Sequence, residues 1–331
     1  MATNSTSTAA APAGLPRSPR ALLRRLQGGD VVAHTITLIF AAMVLLITVL
    51  LVGQLWIHSA PSRAAFGWHF LWSSVWDPVF DNYGALTFLY GTVVTTVLAL
   101  VIAVPLGLGA AIFLSELAPP KISAGLSFVV DLLAAVPSVI YGLLAIFTLL
   151  PLLSTTIEPF LKKTLGFLPL FQGPAYGVGF LAAGLVLSIM IVPYIVSVSR
   201  EVLMSVPSDQ REAALGLGAT RWETTWKVVV PYARTGIMGS VFLSMARALG
   251  ETMAVTMVIG NTPKISASLL APGYTIAAVI ANEFTEATGN LYVSALIELG
   301  LVLFFLTFIL NGIARLMMAA TAGRGAGGAR G

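Results

Sequence analysis

The chain has 331 residues, of which 57% are hydrophobic and 10% charged, with a formal charge of +4 and no cysteine. An average soluble domain carries about 25% charged residues, so this balance excludes most soluble enzymes and any disordered protein. Without cysteine there is no disulfide framework, iron–sulfur cluster or thiolate zinc site, and His34, His58 and His69 are too scattered for a metal centre.

A helix needs about 20 mainly apolar residues to cross a bilayer core. Six stretches qualify: Val31–Ile57, Leu86–Leu114, Ala124–Leu150, Val178–Leu203, Thr235–Gly260 and Leu291–Met318. The pattern predicts an all-α integral membrane protein with six transmembrane helices. Residues 1–30 are rich in Ala, Thr, Ser and Pro and read as a disordered cytoplasmic tail. Residues 31–57 form the first transmembrane helix. That run is much longer than the roughly 7–15 apolar residues of a cleaved signal, so it reads as an uncleaved anchor.

Residues 58–85 form an external loop with Trp68, Trp72 and Trp76. Their spacing of four predicts one helical face. Two readings stand: an interfacial helix with its indoles at headgroup level, or a docking platform for an external partner. Residues 86–318 hold the other five spans. Between the third and fourth, Pro151–Gly177 carries four prolines and reads as a partly re-entrant hairpin.

The cytoplasmic loop at about 204–233 is the most shaped of the connections. Asp209 and Glu212 have capping-box spacing just after Pro207, and Thr220 and Glu223 repeat it. Gly216 and Gly218 lie between and supply permissive backbone for a sharp turn. Trp222, Trp226 and Val229 share a face of the following helix, which Pro231 is expected to interrupt. Helix, tight turn, helix is the prediction. Residues 319–331 read as a disordered cytoplasmic tail.

Charge sets the orientation. Thirteen Lys and Arg fall on the side of the termini and only four (Arg63, Lys162, Lys163 and Lys264) on the other. The positive-inside rule then places both termini in the cytoplasm of a multi-pass protein. The bias also accounts for the net charge without nucleic acid.

Four ionisable residues fall inside the spans: Asp131, Arg247, Glu251 and Glu298. A charge near the bilayer centre costs about 2.5–3.5 kcal/mol even on the lenient insertion scale, so these should face the bundle interior or a water-filled path. Arg247 lies about 13 residues, or roughly 20 Å, into its span. Glu251 at i+4 is expected on the same helical face, and Glu298 at a depth similar to that of Glu251. Either the pair ties span five to the bundle, or it lines an anion path. In the second case Arg247 offers planar donors, and Glu251 weakens the grip enough for release. Asp131 lies near the start of span three, where a helix N-terminus favours it.

Several segments resemble known transport proteins. Glu212-Ala213-Ala214, then Gly218, then Val228-Val229-Val230-Pro231, is similar to the EAA loop of ABC importer permeases. Val228 and Val230 replace the usual Ile and Leu. Ala135–Gly142 resembles the third-span signature of phosphate-importer permeases, and Arg247–Val255 the fifth-span signature, with a Thr-Met-Ala-Val ending of the PstC type. The resemblance covers about residues 86 to 318.

The resemblance implies a type I ABC importer permease fold and a bacterial plasma (inner) membrane location. The chain would form the phosphate path with a homologous second permease. Two copies of a cytoplasmic ATPase would carry ATP and magnesium, and an extracytoplasmic phosphate-binding protein would deliver the anion. Within that frame Arg247, Glu251 and Glu298 are pathway residues. Glu212, Ala213, Ala214 and Gly218 form the ATPase-coupling loop, and Asp131 and Pro137 are structural or gating residues. No cofactor is expected on this chain, and it lacks the Gly-x-x-x-x-Gly-Lys-Ser/Thr and His-Glu-x-x-His motifs of a nucleotide site or a metalloprotease. ATP hydrolysis therefore falls to a separate subunit. The alternatives are a permease for sulfate or molybdate, the partner phosphate permease, an ion-coupled secondary transporter, or an intramembrane enzyme. No inverted repeat supports the third, and no catalytic motif supports the fourth.

Overall fold

The computed structural model describes residues 30–327, with side chains for residues 32–319. The expected N-terminal tail, apart from Asp30, and residues 328–331 lie outside the described residues. The chain divides into two units, Met1–Gln54 and Leu55–Gly331. The described part of the first belongs to α1 (Asp30–His58), which contains no proline and a single glycine. Its Val32–His58 stretch is 27 residues long and holds an 18-residue window of mean hydropathy 2.9, enough to cross a bilayer.

The second unit opens with two short helices, α2 (Ala60–Phe66) and α3 (His69–Trp72). Gly67, at φ +52°, ends α2, and the extended Ser73 ends α3. The three tryptophans therefore do not share a helical face. Trp68 and Trp72 are exposed, while Trp76 lies beyond the helix. Its indole packs edge-on against Tyr83 and Phe88 and donates to a Glu283 carboxylate oxygen at 2.8 Å.

Next come α4 (Leu86–Leu117), α5 (Pro120–Ala134), α6 (Ser138–Leu165) and α7 (Phe180–Met204). The third span differs from its expected Ala124–Leu150. It breaks at Val136–Pro137, because proline lacks an N–H and forces the residue before it out of the helical region. Helix then runs on to Leu165, through much of the segment read as a re-entrant hairpin.

Pro151 and Pro159 do not stop α6. Each follows a widened i→i+5 turn, at Ala145–Leu149 and Leu153–Ile157. Widening shifts the carbonyl register, so that the ring and the missing N–H are absorbed. Pro231 follows a third such turn, Thr225–Val229. For the same reason it does not interrupt its helix as expected.

The loop helix α8 (Ser208–Gly216) leads into α9 (Arg221–Leu249). Span five thus begins before the expected Thr235. It also ends early: Gly250–Thr252 is not helical, and the expected run to Gly260 shrinks to one turn, α10 (Met253–Thr256). The irregular chain beyond it folds onto the start of α7. There the carbonyls of Val258, Ala271 and Leu269 accept from the amides of Gly179, Phe180 and Leu181. These are amides that a helix start leaves without internal partners. Finally α11 (Ile276–Glu283) precedes α12 (Asn290–Gly327). The latter runs past the expected end at Met318 and through part of the segment read as a disordered tail, carried by the good helix formers Ala319, Ala320 and Ala322.

Six helices among the described residues are long and apolar enough to span a membrane: α1, α4, α6, α7, α9 and α12. The core is built around α7, which packs on α4, α5 and α9. Leu187, Ile191 and Ile195 of α7 are fully buried there with Ala99 and Ala103 of α4. The close approach depends on small residues: a Cβ at Gly107 would stand 2.7 Å from Ile195.

Candidate functional site

Two places in the bundle gather residues singled out by the sequence: the pair of helix breaks and the α8 loop. At the breaks, α6 starts just after Pro137 and packs against α10, which starts just after the Gly250–Thr252 break. The Tyr141 hydroxyl reaches back across the first break and donates to the Leu133 carbonyl at 2.8 Å. This satisfies one of the carbonyls left open at the end of α5.

Arg247 occupies the last turn of α9, where the helix dipole favours a cation. Its side chain is exposed within this chain. The guanidinium carbon lies 5.7 Å from the Tyr194 ring centroid, and Tyr141 falls within its electrostatic reach. No carboxylate forms an ion pair with it among the described residues. Arg247 is thus a cation with aromatic neighbours and free donor capacity, beside two interrupted helices.

Glu251 does not continue the Arg247 face, because the helix stops between them. Its carboxylate instead accepts from the Ala254 amide at 3.2 Å and caps the one-turn α10. Glu298 is likewise not gathered with Arg247 by any hydrogen bond or ion pair among the described residues. It is 5% exposed and faces Ser62 and Arg63 of α2. Glu298 thus lies beside α2, which directly follows the end of α1. Asp131 accepts from the Ser197 hydroxyl at 2.8 Å and ties α5 to α7.

The α8 loop forms as a protrusion. The first expected capping box does not form: Pro207 precedes α8 and no side chain caps it. The second does, with the Thr220 hydroxyl accepting from the Glu223 amide at 3.2 Å and the Thr220 amide donating back at 3.0 Å. Gly218 takes φ +89°, a left-handed conformation that L side chains rarely adopt. Glu212 and Ala213 are exposed and Ala214 half-buried, with Leu215 at 45% and Leu217 at 90% exposure. Two apolar side chains thus stand open to the surroundings on an otherwise polar loop.

Arg211, which the sequence reading did not assign, anchors the protrusion. It makes a bidentate ion pair with Glu116 at the end of α4, at 3.1 and 2.9 Å, and donates to the Leu203 and Val206 carbonyls. Glu158 was also unassigned; it is fully buried and accepts from the Gly177 amide at 3.0 Å, pinning the return to α7. Capping and dipole arguments cannot find such long-range partners, which depend on the tertiary fold.

A family described as "Binding-protein-dependent transport system inner membrane component" matches residues 103–321. Among curated relatives, "Phosphate transport system permease protein PstC" of Mesorhizobium japonicum is 48% identical over 307 residues, 91% of this chain and 94% of the relative. The protein of the same name from Xylella fastidiosa is 50% identical over 256 residues, 76% of this chain and 79% of the relative. "Probable phosphate transport system permease protein PstC" of Methanocaldococcus jannaschii is 37% identical over 296 residues, 88% and 92% of the two chains.

Two solved structures share the fold at low identity. A bacterial alginate ABC transporter chain aligns with TM-score 0.55 and 14% identity, over 88% of this chain and 96% of that one. An inward-facing MetNI methionine ABC transporter chain aligns with TM-score 0.53 and 16% identity, over 75% and 99%. The discontinuous spans, the protruding α8 loop and the match over residues 103–321 converge: this chain belongs to the inner membrane components of binding-protein-dependent transport systems.

Proposed function

We propose that the chain is a PstC-type permease subunit of an ATP-driven phosphate importer. The observation that carries this reading is the 48% identity over 91% of the chain to a phosphate permease. In this reading a second, homologous permease completes the membrane path. Two copies of an ATPase, holding ATP and magnesium, dock on the α8 loop in the cytoplasm, and a phosphate-binding protein delivers the anion at the opposite end. The chain itself catalyses no reaction.

The geometry supports a division of labour. The exposed Glu212–Leu217 surface enters a groove on the ATPase in helix-in-groove fashion, with Ala213 and Ala214 small enough for close approach. Motion of α8 passes to α4 through the Arg211–Glu116 pair and to α9 through the Thr220–Glu223 cap. At the helix breaks, Arg247 contacts the passing anion through planar donors. A single unpaired guanidinium, aided by no second basic side chain in the fifth-span signature, holds phosphate weakly enough to let it go. Glu251 and Pro137 set the breaks that place Arg247, and Asp131 braces α5 on α7.

The test is transport by the assembled complex in vesicles. Radiolabelled phosphate uptake should require ATP and the binding protein, and excess unlabelled phosphate should compete while sulfate and molybdate do not. Competition by sulfate or molybdate at equal concentration would transfer the assignment to another oxyanion. ATP-independent uptake driven by an ion gradient would overturn the importer reading.

A further inference from the structure

The second unit carries chemistry that the proposed phosphate path does not use, where α2 meets α12. There α2, the last turn of α1 and α12 enclose an open pocket of about 350 Å³. That volume lies in the ~300–1,000 Å³ range of small-molecule sites. Its walls are mainly apolar, with Trp56, Trp68, Leu301 and Phe305, and two charged residues, Arg63 and Glu298, line it as well.

The two charges are not paired with one another. Glu298 is 5% exposed and its polar neighbour is the facing Ser62 hydroxyl, while no cation among the described residues stands within ion-pair distance of its carboxylate. Arg63 lies beyond ion-pair distance of Glu298. It is held over the Trp56 ring at 3.7 Å, with its Nε donating to Ser59 Oγ at 3.1 Å and one terminal nitrogen donating to the Trp56 carbonyl. A guanidinium has five N–H donors, so some remain for another acceptor. Burying a carboxylate beside a neutral hydroxyl, with no cation in contact, is costly. The pocket therefore presents an anionic group wanting a cation, a cationic group wanting an anion, and an apolar wall.

We propose that this pocket binds a primary-amine phospholipid from the leaflet opposite the α8 loop. The lipid ammonium donates to Glu298, the phosphate accepts from Arg63, and an acyl chain runs along Leu301 and Phe305. The level of the pocket fits, because α2 follows directly on the end of the α1 apolar run, where headgroups lie. Exposed Trp68 and Trp72 mark the same interface. A lipid lacking the amine would leave Glu298 without a cationic partner, and a quaternary amine would offer it no N–H donor. The site is accordingly selective for phosphatidylethanolamine over phosphatidylglycerol and phosphatidylcholine. It would fix α2 against α12 in a permease that otherwise holds the two together with few polar contacts.

Native mass spectrometry of the detergent-purified full-length chain, alone and in its assembly, tests this by titration with each of the three lipids. One phosphatidylethanolamine should be retained about tenfold to a hundredfold more tightly than the other two, as expected for one hydrogen bond to a charged group. Glu298→Gln should abolish that preference, and Arg63→Gln should weaken retention of all three. Should Glu298→Gln fail to insert, the Arg63→Gln result still decides. Equal retention of the three lipids, a preference that survives Glu298→Gln, or retention left unchanged by Arg63→Gln overturns the proposal. So does retention by the isolated chain but not by the assembly, because a partner polypeptide would then cover the pocket.

Discussion

Arg247 is held by its backbone rather than by a salt bridge. It sits in the final turn of α9, beside Tyr194 and Tyr141, with no carboxylate partner among the described residues. A structural pair would leave little donor capacity; this arrangement leaves it available. One hydrogen bond to a charged group contributes about 1.5–3 kcal/mol, so Arg247→Gln should reduce phosphate uptake roughly tenfold to a hundredfold at matched membrane expression. Arg247→Lys should restore only part, because a point charge replaces a planar fork. Uptake by Arg247→Gln at the level of the parent chain would remove the residue from the path, and loss of the assembled complex would make its role structural. The sequence pointed to Arg247 because a lone base deep in an apolar run is conspicuous. It could not show that the helix ends two residues later, at Leu249. Glu251, at an i+4 spacing that promised a shared face, therefore caps α10 instead.

Among the elements, the α8 loop is where local chemistry and global placement agree. Gly218 has open space around the position of a Cβ, so the objection to a side chain there is conformational and arises from φ +89°. Such strain costs of order 1–3 kcal/mol. Gly218→Leu should insert normally but retain the ATPase about tenfold less well on co-purification, or lose coupling between hydrolysis and uptake. Gly216→Ala is the matched control: Gly216 is helical and also has open space, so it should behave like the parent chain. If the two variants behave alike, the turn does not shape the docking surface. This loop was legible in the sequence because its cap and its glycine act within a few residues. The helix breaks were not. Pro105 and Pro193 sit inside continuous helices, whereas Pro137 marks a break. Which outcome a proline produces depends on whether neighbouring helices or a widened turn satisfy the freed carbonyl, as at Pro151, Pro159 and Pro231. Hydropathy alone counted six spans correctly, but it placed the third and fifth by composition where packing decided the ends.

At the scale of the whole molecule, the order of the spans determines which parts can meet which partners. The segment carrying Val79 follows the first span, while α8 follows the fourth, so the two lie on opposite sides of the bilayer if each of the six helices crosses once. The thirteen-to-four distribution of Lys and Arg makes the cytoplasm the expected side for α8. The structure supplies good reporters for both ends. Val79 is 84% exposed and Leu217 is 90% exposed. Ser62, although it lies in the segment expected to be external, is fully buried and would stay silent from either side. In intact cells, a single cysteine at Val79 should react with an impermeant maleimide added outside. One at Leu217 should react only after the membrane is opened, and less so when the ATPase is bound, because the same apolar tip is its proposed contact. Labelling of Leu217→Cys from outside would invert the topology and separate the α8 loop from any cytoplasmic ATPase. Protection of Val79→Cys with normal insertion would instead mean that an external partner covers this end of the bundle at rest.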